Sequence, residues 1–418
     1  MAKSAVRRGT ARECAPRRGP VRDDAAAGTG AGVLPVVPVR ARGLTIEGAD
    51  GRRYLDCVSG AGTLPLGHNH PVALRAIREV LDAGAPLQVA GLTTPVEEAF
   101  VAELMRTLPP GLADRARVRF CDPAGKNPVA TAAGLVRAAT GRTRVIHSTD
   151  ADADVDPDHA AGTGLAAPRP EEALPAGMLL EPVRSRDGVL PTPDAVLRRL
   201  RRGTAERSVP LIVDETETGV GRTGAFWAVE HSGVVPDVLV LSKAIGGGLP
   251  LAAVVYRDDL HTGEGSAFRG NQLAMAAGAA TLAHVREHRL AEHAAALGGR
   301  TLARLRGLAE DSPCVGDVRG LGLMIGIELT APDGTADAAP RGTRLSTAAA
   351  VQRECLRRGL IVDLAGPSGN VVRLLPPLIV TEEQMSAVLD RLADAVQAVE
   401  RGPSGHVPSH GVRAAHRP

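Results

Sequence analysis

Runs of consecutive apolar residues, each closed by a polar one, punctuate the middle of the chain: GMLLEP at 177–182, VPLIVDE at 209–215, DVLVLSK at 237–243 and LAAVVYR at 251–257. Runs of this kind suit parallel strands buried on both faces. RVRFCD at 117–122 and TRVIH at 143–147 read as further strands, and 34–46 and 52–57 as short ones nearer the N-terminus. Between them the period lengthens. Residues 72–83 place Leu74, Ile77 and Leu81 on one helical face, and a second helix is expected over 95–107. Strands alternating with helices predict an α/β fold with a mostly parallel, doubly wound sheet. Beyond residue 272 a long helical stretch, strands near 322–330, a helix near 347–358 and a last helix near 382–400 predict a smaller α+β domain.

Three stretches break the alternation. Residues 1–32 and 402–418 are polar, Gly/Pro-rich and without apolar period, and are expected to be disordered tails. Residues 148–176 are acidic, then Ala/Pro/Gly-rich, and read as a loop or linker.

Composition narrows the function classes. The 418 residues carry 49 basic and 47 acidic side chains, a formal net charge of +2, which gives no electrostatic case for nucleic acid or membrane as a partner. Aromatics make up only 2%, against base-stacking platforms. The five cysteines include no C-x-x-C pair, so neither a disulfide framework nor a zinc site is indicated and a cytoplasmic location is expected. No apolar run is long enough to span a bilayer.

The chemistry concentrates at 209–250. Two buried runs end in ionisable groups, Asp214 and Lys243. In open α/β sheets ligands sit at the carboxyl ends of the strands, so an acid and a lysine face one crevice. A lysine leaving a buried strand needs a partner, because desolvation is costly. A Schiff base to a cofactor and a structural ion pair both answer that need. Gly219, Gly221 and Gly224 spell G-x-G-x-x-G, but TET separates them from the strand and the next strand ends in a lysine. The dinucleotide fingerprint requires the turn directly after the strand and an acid about 20 residues on, so these glycines read as a turn.

With DETETGVGRTG at 214–224 followed by SKAIGGG at 242–248, the block resembles the pyridoxal 5'-phosphate (PLP) stretch of class III (ω-type) aminotransferases. SGAGTLPLGHNHP at 59–71, FRGNQLAMAAG at 268–278, VRGLGLMIGIEL at 318–329 and RGLIVDLAGPSGNVVRLLPPL at 358–378 are most similar to the diaminobutyrate aminotransferases, including the ectoine-pathway type. The resemblance implies a fold-type-I PLP enzyme. It implies a large PLP-binding domain over 86–285, a small domain built from 33–85 and 286–401, and a homodimer.

It also implies roles. Lys243 would be the Schiff-base lysine and proton carrier, and Asp214 the partner of the pyridine nitrogen. The turn Pro123-Ala124-Gly125-Lys126-Asn127 would hold the phosphate, with Gly125 and Lys126 in contact and Pro128 opening the helix. Arg373 would grip the α-carboxylate of 2-oxoglutarate. The partners are then a small-molecule amino donor and a 2-oxo acid.

Four positions depart from the family pattern. The stacking aromatic is absent near 147–154, where His147 is the candidate replacement. Glu217 stands where the family has Gln beside the cofactor's phenolate, and like-charge crowding is expected either to raise its pKa or to perturb that of the cofactor aldimine. Ala267 replaces a threonine that reaches the partner subunit's phosphate, leaving neighbouring Ser266 as the cofactor contact. Arg186 takes the place of a glutamate that gates the carboxylate-binding arginine; with Arg184 it would either attract anionic substrates or line a solvated loop. Three readings follow: an aminotransferase acting on a diamino acid or another ω-amine with 2-oxoglutarate, a PLP enzyme of altered chemistry, or a degenerate dimeric scaffold.

Overall fold

The structure is a computed structural model that describes residues 34–121, 127–148, 174–263, 270–330 and 346–401. Both proposed tails, most of the 148–176 stretch, and Gly125, Lys126, Ser266 and Ala267 lie outside the described residues.

Six strands form the central sheet. Their order is Ala116–Phe120, Ala253–Arg257, Val238–Leu241, Leu211–Asp214, Gly177–Leu180 and Val145–His147. The last four run parallel, in register pairs such as Val238 with Ile212 and Leu179 with Ile212. One expectation fails here. The run at 251–257 is not a parallel strand: Ala253–Arg257 lies antiparallel to both neighbours. Its residues are buried on both faces like those of Gly177–Leu180, Leu211–Asp214 and Val238–Leu241, so hydropathy carries no trace of its direction.

Helices cover the sheet, and each of two starts where the sequence supplies a cap. Thr94 accepts from the Glu97 N–H to open Pro95–Thr107, and Asn127 accepts from the Ala130 N–H to open Pro128–Thr140. Proline follows both caps, where its missing N–H costs nothing. Phe100, Leu104, Trp227, Leu239, Leu241 and Met275 are fully buried in the larger core between helices and sheet.

The predicted strand at 34–46 is in fact two. Pro38–Arg42 and Thr45–Gly48 pair antiparallel around a turn at Gly43, whose φ of 55° a side chain rarely adopts. The helix Pro71–Asp82 forms as expected, but its face is rotated: Ala73 and Val80 are the buried residues and Leu81 is 51% exposed. It packs on the helix Gln272–Glu287. The long helical stretch after 272 is two helices, Gln272–Glu287 and Leu290–Asp311, broken at Arg289 with φ 52°.

The C-terminal part carries a four-stranded sheet ordered Val315–Leu321, Met324–Leu329, Val371–Leu374, Asp363–Ala365. Leu360–Ile361 stands apart from it and pairs in parallel with Arg53–Asp56, joining the two ends of the chain. Buried Arg222 donates to the carbonyls of Leu323, at 3.2 Å, and Pro376, tying the 214–224 loop to this sheet. Among the described residues no helix is long and apolar enough to cross a membrane.

Candidate active site

The strand Leu211–Asp214 ends at Asp214, and its register partner Val240 lies three residues before Lys243. The parallel pairing therefore delivers both groups to the carboxyl edge of the sheet, into one cavity of about 330 Å³. Lys243 has φ 56°, a left-handed conformation uncommon for a side chain of its kind, which turns it off the strand. Its amine points at the Glu217 carboxylate, Nζ to Oε1 2.5 Å, and donates to the Ala61 carbonyl at 3.3 Å. That carbonyl is presented by a run of left-handed residues, Ser59 through Gly62.

Asp214 accepts from the Thr216 N–H at 2.9 Å. Burial pushes its carboxyl pKa up, against the pull of that bond and of Lys243. Glu217 goes the other way. Burial opposes its charge, but Lys243 and Arg373 outweigh burial and lower its pKa from 4.5 to about 2. Of the two expected outcomes, a raised Glu217 pKa is not what its protein surroundings give, because its neighbours are cations: Lys243, Arg373 at 2.9 Å and Arg186 at 3.3 Å. Arg186 and Glu217, two departures from the family pattern with opposite charges, meet across the cavity.

Arg373 lies behind this carboxylate. Its Nη1 donates to Ser185 Oγ at 2.7 Å and to Glu217, and its Nη2 to Asp363 at 2.5 Å. Its Nε is buried with no hydrogen-bond partner among the described residues. Arg184 pairs with Asp187 at 3.3 Å, on the loop between the short strands Val183–Arg184 and Leu190–Pro191. His147 is exposed at the end of Val145–His147 and is not part of the cavity wall. Among the described residues no aromatic side chain lines the cavity.

Sequence reasoning missed four participants. Glu181 lines the cavity, and burial together with Asp214 and Glu217 raises its pKa from 4.5 to about 7. It closes the GMLLEP run as an acid closes VPLIVDE, so the signal was present. Asp363 faces Arg373 by antiparallel register, and Ser185 reaches it from a loop. Neither leaves a trace in the sequence, and nor does the Ala61 carbonyl.

The donor set fits PLP. A lysine amine and a buried carboxylate of raised pKa open into one cavity, and the first turn of a 13-residue helix, at Asn127, Pro128 and Val129, lines its other side. A helix start of this kind favours an anionic group.

The family model for class-III aminotransferases matches residues 26–151 and 169–396. A diaminobutyrate–2-oxoglutarate aminotransferase of Rhizobium meliloti (strain 1021) is 41% identical, over 88% of this chain and 89% of that one. Its counterpart in Haemophilus influenzae is 34% identical, over 87% and 90%. Among solved structures, an acetylornithine aminotransferase from Elizabethkingia anophelis superposes with a TM-score of 0.74 at 25% identity, covering 89% of this chain and 96% of that one.

Proposed function

The chain belongs to the class-III aminotransferases, and on that premise we propose that it moves an amino group between a diamino acid resembling 2,4-diaminobutyrate and 2-oxoglutarate. It is a PLP-dependent enzyme, as that family is. The observation that carries the substrate reading is the cavity's mixed charge. Glu181 and Glu217 stand on the wall with Arg186, and Arg373 lies behind Glu217, so a donor bearing two ammonium groups and an acceptor bearing two carboxylates each find opposite charges there. The names of the relatives point to the same pair of substrates.

Bound in this cavity, PLP supplies a reactive carbonyl carbon and a ring that accepts an electron pair. The chain's own residues do the rest. Lys243 would hold the cofactor, and its amine would move the proton at the substrate carbon. Asp214 would hold the protonated ring nitrogen, whose charge would offset the burial that raises the carboxyl pKa. The helix start at Asn127 would receive the phosphate. Arg373 takes the carboxylate of the oxo acid.

The functional unit is a homodimer in the cytoplasm. Exposed Leu81, Leu87 and Leu92, each at least 51% accessible, offer apolar surface to a second copy. Cys57, Cys121, Cys314 and Cys355 are free and buried, as suits a reducing compartment.

Incubation of the PLP-loaded protein with 2,4-diaminobutyrate and 2-oxoglutarate should yield glutamate, and Lys243→Ala should not. Borohydride should fix the cofactor to the wild-type chain at Lys243, as peptide mapping would show. Cofactor fixed at Lys243 without glutamate formation from any diamino acid would overturn the substrate assignment.

A further inference from the structure

The cavity wall contains Glu217 and not Arg373. The Arg373 side chain is 7% exposed, and the group between it and the cavity is the Glu217 carboxylate, Oε2 to Nη1 2.9 Å. A substrate carboxylate reaches Arg373 only by taking that oxygen's place. The arginine itself is held by two further bonds, Nη2 to Asp363 at 2.5 Å and Nη1 to Ser185 at 2.7 Å.

The second Glu217 oxygen already touches other cations: Lys243 at 2.5 Å and Arg186 Nε at 3.3 Å. The Arg186 side chain is 76% exposed, on the loop that joins two short strands, so it can reorient at little cost. We propose that Glu217 is a displaceable counter-ion. It occupies Arg373 until the carboxylate of an acidic substrate replaces it, and Arg186 then receives it.

The exchange strands no buried charge. Removing one partner of a buried ion pair is costly, whereas here each group ends with a partner of opposite sign. It also gives one site two recognition states. With Glu217 on the wall the cavity presents an anion to the distal ammonium of a diamino donor. With Glu217 drawn to Arg186 it presents Arg373 to a carboxylate. The identity of these substrates rests on the function proposed above.

The test is calorimetric binding of glutarate, a five-carbon dicarboxylate without a reactive carbonyl, to the PLP-saturated protein. Melting temperatures verify that each variant is folded. Glu217→Gln keeps the shape and removes the competing charge, so glutarate should bind about tenfold tighter or more. Arg186→Ala should weaken binding several-fold in the wild-type background and have no effect in the Glu217→Gln background, since there is then no carboxylate to receive. An Arg186→Ala loss that persists in the Glu217→Gln background would mean that Arg186 merely attracts the anion, and would overturn the exchange. So would unchanged or weaker binding by Glu217→Gln, or no binding by either form. Arg373→Gln separates the two levels of the argument. If it abolishes binding while Glu217→Gln fails to improve it, the counter-ion role falls and the substrate reading stands. If it leaves binding intact, Arg373 is not the carboxylate site and both fall.

Discussion

The amine of Lys243 and the carboxylate of Glu217, 2.5 Å apart, form an ion pair at the carboxyl edge of the central sheet. The sequence left two explanations for a lysine there, a cofactor bond and a structural ion pair. Such a pair is what the geometry shows between two cavity-lining residues, and it is compatible with the cofactor role, since a cofactor held at Lys243 would leave Glu217 to its arginines.

The pairing fixes a pH dependence. Glu217 is lowered from 4.5 to about 2 in the folded protein, so its contribution is complete above the unfolded value and is lost as the pH falls toward the folded one. Between about pH 6 and pH 3.5 the stability advantage of wild type over Glu217→Gln should shrink by about 1.4 kcal/mol, the equivalent of one pKa unit. Urea titrations of both proteins without added cofactor, at the two pH values, measure it; parallel profiles would show that Glu217 is not held by its cations.

Glu215 has the opposite sign. Burial raises it from 4.5 to about 7, while bonds from Thr218 and the Val229 N–H at 2.8 Å oppose the rise. A folded pKa above the unfolded one means that stability is complete at low pH and declines as the pH climbs through the folded value. Glu215→Gln removes that decline. Relative to wild type it should gain about 2 kcal/mol between about pH 5 and pH 8, read from denaturant midpoints at each pH.

Two adjacent glycines in the helix Leu290–Asp311 should respond oppositely to alanine. A Cβ on Gly298 would stand 2.0 Å from the Gly322 carbonyl oxygen, a backbone atom that cannot step aside, whereas one on Gly299 meets nothing within 4 Å. Gly298→Ala should cost about 3 kcal/mol or more by forcing helix and turn apart. Gly299→Ala should stabilise by roughly 0.5–1 kcal/mol through the chain entropy glycine loses in a helix. Equal effects of the two substitutions in thermal melts would contradict the packing described.

Trp227 is fully buried and donates its indole N–H to the Thr107 carbonyl at 2.8 Å. Trp227→Phe keeps an aromatic ring beside Phe226 but leaves that carbonyl without its donor. A loss of about 1–3 kcal/mol is expected, measurable by urea unfolding.

Much of this protein was written in local order. Apolar runs closed by Asp214 and Lys243 announced buried strands with chemistry at their ends, because a strand buried on both faces must be apolar throughout and only its terminus can carry a charge. Pro128 announced a helix start, because the N–H that proline lacks is not needed in the first turn. Pairwise geometry across the chain had no such signature. The strand at 253–257 runs antiparallel because of where the chain re-enters the sheet, and the rotated face of Pro71–Asp82 follows from the helix it meets. The charge state of Glu217 is the sharpest case. Read beside an anionic cofactor oxygen, it was expected either to hold its proton or to perturb the cofactor; folded, it gathers Lys243, Arg186 and Arg373 from three separate segments. A pKa is set by the charges within a few ångströms, and only the tertiary structure decides which those are.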